Sequence, residues 1–141
     1  MARTIVLGYD ASPGARGALA QAVDLAREFG DRLVIAYGVA PAGSVGEEWK
    51  ENVAALEDQA RTLCGDALTA AREAGVDAEV ALVQERPHAA LMSLADERDA
   101  RFIVVGGWGE SPLRGAILGS TPHKLLHLSD RPVLVVPAQP A

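Results

Sequence analysis

Ile5-Val6-Leu7-Gly8-Tyr9-Asp10-Ala11-Ser12-Pro13 is the stretch on which the fold turns. Its first five residues form a short apolar run with β-branched side chains, which predicts a strand buried on both faces. Asp10 to Pro13 then punctuates the run. Ser12 is a side chain that caps a helix N-terminus, and Pro13 suits the first helical position. Apolar residues Ala18, Leu19, Ala22, Val23, Leu25, Ala26 and Phe29 follow at helical spacing, and Gly30 stops the helix. The chain therefore passes directly from a buried strand into a capped helix.

The same unit repeats outward from this start. Arg32 to Val39 reads as a second strand, and Pro41, Gly43 and Gly46 mark the loop after it. A long amphipathic helix is expected over 46–74, with Trp49, Val53, Leu56, Ala60, Leu63, Ala67 and Ala71 on its apolar face and Gly75 at its end. Val76 to Val83 alternates apolar and charged residues, the pattern of a half-exposed edge strand. A helix over 87–98, a buried strand at Phe102–Val105, a glycine-rich loop from Gly106 to Gly119, a short helix over 120–128 and a last strand over 132–137 complete the chain. Strict alternation predicts an α/β fold, an open five-stranded parallel sheet with helices on both faces; the expected strand order is 3-2-1-4-5. No internal repeat or domain boundary interrupts 1–141, so one Rossmann-like domain is expected. Such sheets bind ligands beyond the carboxyl ends of the strands, where the strand order reverses. Here that point lies between strands one and four, where Asp10 and Gly106 converge.

Composition bounds the function. The 141 residues are 49% hydrophobic and only 4% aromatic, so Ala, Val, Leu and Ile must build the core. A net charge of −6 argues against a surface that binds nucleic acid or anionic lipid broadly. The charge is uneven. Residues 1–100 carry 9 Lys and Arg against 17 Asp and Glu, whereas residues 101–141 carry 4 against 2. An anion site is therefore expected in the last third. Cys64 is the one cysteine, which excludes an internal disulfide or a cysteine-based zinc site and reads as a small buried hydrophobe. No signal peptide and no membrane-spanning run is seen, and a cytoplasmic protein is expected.

The loop Gly106-Gly107-Trp108-Gly109-Glu110-Ser111-Pro112-Leu113-Arg114-Gly115-Ala116-Ile117-Leu118-Gly119-Ser120-Thr121 carries the most chemical information. Glycines admit close approach of phosphate oxygens to the backbone. The helix opened by Gly119-Ser120-Thr121 offers free N–H groups and a positive dipole end. The Ser120 and Thr121 hydroxyls add donors, and Arg114 and Lys124 add positive charge. No G-x-x-x-x-G-K-[ST] loop exists, and Pro112 breaks the G-x-G-x-x-G pattern begun by Gly107-Trp108-Gly109.

The spacing Gly106-x2-Gly109-x9-Gly119-Ser120 resembles the nucleotide-loop motif of the universal stress protein family. Ser120-Thr121-Pro122-His123-Lys124-Leu125-Leu126, the Asp130–Pro137 segment and the opening Ile5–Ser12 segment resemble that family too, so the likeness covers the whole chain. It implies an ATP-binding module. By position, Asp10 would lie at the ribose end, close to a phosphate-bound Mg²⁺. Gly8 and Tyr9 would line the adenosine pocket, and the backbone of Gly38 or Val39 would face adenine. Val105, Gly106 and Gly109 would touch ribose and phosphates, and Gly119, Ser120 and Thr121 would cradle the phosphate chain. Trp108 departs from a position often polar in the family, and Glu85-Arg86-Pro87 replaces a Gly-x-Pro turn. The resemblance also implies a homodimer through the edge of the last strand, Val133, Leu134, Val135 and Val136, whose apolar edge invites pairing.

Other constellations are weaker. Asp10 also reads as a turn residue before the Ser12 cap. His123 and His127 sit one helical turn apart, but no local Cys or acid completes a metal set. His88 reads as a helix-start residue. No catalytic residue is assigned, because no general base, arginine finger or nucleophile elbow is evident; at most slow ATP hydrolysis is expected. The expected role is a nucleotide-binding stress-response module that reports ATP occupancy to an unknown protein partner. The alternatives are a dimeric adaptor without nucleotide and an adenylating or nucleotidyl-transferring enzyme on the same fold. The latter lacks its His-x-Gly-His or Ser-Gly-Gly-x-Asp-Ser loop here.

Overall fold

The computed structural model describes residues 2–38, 46–107 and 120–137, with the backbone alone at 46–49. In chain order the elements are β1 (Thr4–Gly8), α1 (Pro13–Phe29), β2 (Arg32–Gly38), α2 (Gly46–Glu73), β3 (Ala78–Val83), α3 (Pro87–Glu97), β4 (Ala100–Gly106), α4 (Ser120–Leu128) and β5 (Val133–Val136). The strands form one parallel sheet in the order β3-β2-β1-β4-β5. The predicted alternation and strand order are both present.

Side-chain alternation along the strands divides the core in two. Ile5, Leu7, Leu33, Ile35 and Val104 face α1 and α2, meeting Ala18, Ala22, Cys64, Ala67 and Ala71. Val6, Val34, Ala36, Ile103 and Val105 face α3 and α4, meeting Leu91, Leu94 and Leu125. Cys64 is fully buried, and desolvation pushes its thiol up to about 11. It behaves as the small hydrophobe the sequence suggested.

Local signals act where they were read. The Ser12 hydroxyl accepts the Ala15 N–H at 3.2 Å, and Pro13 opens α1. Gly30 adopts φ 70° at the end of α1 and Gly75 φ 84° after α2, both left-handed. Some expectations shift. Cys64, not Leu63, lies on the buried face of α2, in line with Ala60, Ala67 and Ala71; Leu63 is exposed. Phe29 is 47% exposed at the end of α1, where it packs edge-on against Phe102 and under the Arg101 guanidinium. Strand β3 begins at Ala78, because Val76 is spent closing the end of α2 through its N–H to the Ala71 carbonyl.

The amino ends of the strands are tied by charge. The register between β1 and β4 shifts from Thr4↔Ala100 to Ile5↔Phe102, leaving Arg101 as an extra residue. Such a bulge re-aims its side chain. Arg101 donates to the buried Asp31 carboxylate at 2.6 and 3.2 Å, and the Arg3 N–H donates to the same group at 3.0 Å. The Arg101 hydrogen bond holds Asp31 below its ordinary value of 3.8. A depressed carboxylate contributes stability that is complete above its unfolded pKa and is lost as pH falls through the folded one. Asp31→Asn is expected to cost about 2 kcal/mol at neutral pH, measured by urea denaturation, with the difference from wild type shrinking below pH 3.8. Ser12→Ala is expected to cost about 1 kcal/mol in the same measurement.

Candidate functional site

The carboxyl ends of β1 and β4 lie side by side at the point where the strand order reverses. Strand β1 leaves the sheet through Tyr9, whose N–H donates to the Ala36 carbonyl at 3.1 Å. The Tyr9 side chain is buried in the α1–α2 core, so its backbone is what borders the crevice. Asp10 is half-buried, and its Oδ1 accepts the Ser12 N–H at 3.0 Å. Between them Ala11 holds φ 62°. A non-glycine residue there costs of order 1 kcal/mol and persists only when its neighbours over-determine it. The Asp10–Ser12 and Ser12–Ala15 hydrogen bonds do so, and they fix the turn that carries the Asp10 carboxylate.

Gly106 ends β4 against the first turn of α1. A β-carbon at Gly106 would lie 2.5 Å from the Gly14 carbonyl carbon and 2.6 Å from its oxygen, both backbone atoms. Only a residue without a side chain fits there. Val105 packs on the opposite face, beside Gly8, where Leu91 also closes in. Gly107 continues the ladder by donating its N–H to the Val136 carbonyl at 2.9 Å.

Helix α4 starts at Ser120, which is exposed, with Thr121 half-buried and Pro122 and Leu125 buried beneath. Helices α1 and α4 flank the crevice from opposite faces of the sheet, each with its amino end at the carboxyl side of the strands. Two helix dipoles thus favour an anion where the strand ends leave backbone free. Lys124 lies close enough to His88 that its charge, after burial and before Arg86, helps depress the imidazole below its ordinary value. This places His88, at the second position of α3, beside α4.

Gly38 ends β2 on the other flank. Ala36 turns its carbonyl toward β1, so alternation turns the Gly38 N–H and C=O the same way. Strand β1 has already ended at Gly8, and among the described residues no hydrogen bond joins Gly38 to Tyr9, Asp10 or Ala11. These are backbone groups available to a ligand edge. Pressed onto Gly38 is the Glu85-Arg86-Pro87 turn, with backbone atoms 2.7 and 2.9 Å from where a β-carbon would stand. The sequence marks this turn only as a replacement of the family's Gly-x-Pro. Its contact with Gly38 comes from the β2–β3 pairing, Gly38↔Val83, which no local signal reveals.

The structure thus brings Gly8, Tyr9, Asp10, Gly38, Val105 and Gly106 to one end of the sheet and starts α4 at Ser120 and Thr121. Val39, Gly109 and Gly119, with Trp108 and Arg114, lie outside the described residues. His123 and His127 stack edge-to-face at 4.7 Å, and among the described residues no group of three metal-ligating side chains forms. A cavity of about 550 Å³ opens at the opposite, amino end of the strands. Its Arg32 and Arg98 are paired with Asp77 and Glu79, so their charge is already spent. No helix among the described residues is long and apolar enough to cross a membrane.

Comparison with known proteins agrees with this architecture. The model of the Universal stress protein family matches residues 1–137. Universal stress protein Rv1636 of Mycobacterium tuberculosis is 31% identical over 144 residues, covering 95% of each chain. A universal stress protein of Mycolicibacterium smegmatis is 30% identical over 135 residues; these cover 94% of this chain but 45% of that longer relative. Among solved structures, hypothetical protein MJ0577 superposes with a TM-score of 0.90 at 22% identity, covering 100% and 99% of the two chains. A universal stress protein in complex with cAMP superposes at 0.74 with 30% identity, covering 97% and 98%. The Archaeoglobus fulgidus universal stress protein in complex with dAMP superposes at 0.72 with 23% identity, covering 95% and 97%. The chain belongs to the universal stress protein family.

Proposed function

We propose that the protein binds ATP in the crevice between β1 and β4 and works as a nucleotide-responsive module. The observation that carries this reading is the seating of Gly106 on Gly14. It leaves the carboxyl end of β4 bare of side chains between two helix amino ends. Relatives of the same fold are described in complex with cAMP and dAMP, which supports an adenine nucleotide as the ligand class. In this reading the backbone of Gly38 or Val39 meets the base, and Gly8, Tyr9 and Asp10 meet the nucleoside. Val105, Gly106, Gly109, Gly119, Ser120 and Thr121 hold ribose and phosphates.

The Asp10 carboxylate uses Oδ1 on the Ser12 N–H, and no donor among the described residues takes its second oxygen. That oxygen suits a Mg²⁺ carried in on the phosphates. Asp10 is also the acidic group already committed to holding the turn. The reading therefore assigns no general base and expects hydrolysis far slower than kinase turnover. Function then lies in occupancy: bound ATP changes the loop or the dimer surface that a protein partner reads.

Mass spectrometry of nucleotide released from freshly purified protein tests the binding. ATP is expected from the wild type, with affinity reduced about tenfold or more in Gly109→Ala and Gly119→Ala. No released nucleotide and no calorimetric binding would favour the adaptor reading. Conversion of ATP to a nucleotidylated product would favour the enzyme reading.

The reading includes a homodimer through β5. Among the described residues strand β5 pairs with β4 on one side only, and Leu134 is 39% exposed. An unpaired apolar edge is a template for a second copy. Sedimentation is expected to show a dimer at micromolar concentration that Leu134→Lys dissociates. A wild-type monomer would contradict it.

A further inference from the structure

Helix α4 carries two imidazoles that the nucleotide reading does not use. His123 and His127 lie four residues apart within it, a spacing that puts both on one helix face. Both side chains are exposed, and their rings meet edge to face with centroids 4.7 Å apart and planes at 70°. The two rings are therefore already gathered at one place. Little side-chain freedom is left to lose when both take the same ligand.

Imidazole nitrogens bind borderline cations such as Zn²⁺, Ni²⁺ and Cu²⁺ at about 2.0–2.1 Å. Two neighbouring ligand nitrogens on such an ion stand about 3 Å apart. Rings whose centroids are 4.7 Å apart reach that spacing by turning about their own side-chain bonds. His127 lies in the last turn of α4, where the helix dipole favours a cation. Among the described residues no set of three His, Cys, Asp or Glu side chains gathers, so the pair supplies two ligands and water the others. Lys124, next to His123, adds positive charge and offers no lone pair while protonated. Selection then rests on nitrogen ligation, and Mg²⁺, which takes oxygen ligands, is not held. We propose that His123 and His127 form a two-histidine chelate for a borderline divalent transition-metal ion on the exposed face of α4. Helix α4 has only nine residues, a length that is marginal without support. A metal held across one turn staples it. The site is separate from the Asp10 carboxylate and does not depend on nucleotide binding.

The probes are Ni²⁺, Zn²⁺ and Mg²⁺, each titrated calorimetrically into the untagged full chain after treatment with a chelator. Wild type is expected to bind one Ni²⁺ or one Zn²⁺ per chain at micromolar concentration and to ignore Mg²⁺. His123→Gln and His127→Gln change exposed positions, and each is expected to weaken Ni²⁺ binding by about tenfold or more, since one ligand of a linked pair is lost. His88→Gln is expected to leave it unchanged. Zn²⁺ is expected to shift the imidazole nitrogen resonances of His123 and His127 together, and to raise the thermal midpoint of wild type but of neither variant. Single variants that bind as tightly as wild type, or Zn²⁺ shifts confined to one ring, overturn the chelate. An equal loss in His88→Gln overturns its assignment to α4. Absence of Ni²⁺ and Zn²⁺ binding at micromolar concentration overturns the site and leaves the nucleotide reading standing.

Discussion

The contact of Gly106 with the backbone of Gly14 is the constraint on which the carboxyl end of the sheet depends. It sets how closely the end of β4 approaches the first turn of α1. The other features follow from that approach. The Asp10-Ala11-Ser12 turn must fold tightly, with Ala11 in a left-handed conformation, to bring Pro13 and Gly14 back over the strand. Val105 and Gly8 then lie side by side on the far face under Leu91. A methyl group at residue 106 would meet backbone, which cannot rotate away, so α1 itself would have to move.

The two ends of the sheet divide the work. At the amino end polar groups are consumed: Asp31 holds Arg101 and the Arg3 N–H, and Arg131 donates to Asp96, Asp99 and the Ala100 carbonyl. At the carboxyl end the Gly38 N–H and carbonyl and the Glu85 carbonyl stay without partners among the described residues. Strain and unspent polar groups concentrate at sites that bind. The uneven charge of the sequence fits this division, since the acidic first hundred residues place Glu and Asp mainly on exposed helix faces and at the amino end.

Much of this was legible in the residues because the signals were local. The Ile5–Tyr9 run, the Ser12 cap, the Pro13 start and the Gly30 stop each act within a few residues, and all lie where read. Alternation of strand and helix made the parallel sheet with helices on both faces legible through connection rules. What was not legible depended on contacts across the sheet. Nothing near Gly38 in sequence announces Glu85 and Pro87, which reach it through the β2–β3 register. Nothing near Arg101 announces Asp31, because the bulge that joins them exists only once β1 and β4 pair. The choice of Cys64 over Leu63 for the core of α2 likewise depended on how α2 is rotated against the sheet, because both positions keep helical spacing with Ala60 and Ala67.

The central claim is that nucleotide occupies the carboxyl end of the sheet, and backbone amide chemical shifts during an ATP titration test it most directly. Perturbations are expected at the amides of Gly8, Tyr9, Asp10, Gly38, Gly106 and Ser120. The amides of Arg3, Asp31, Arg98 and Arg101, at the amino end, should stay unmoved. Shifts concentrated around Arg3, Arg32 and Arg98 instead would place the ligand in the opposite cavity and contradict the account.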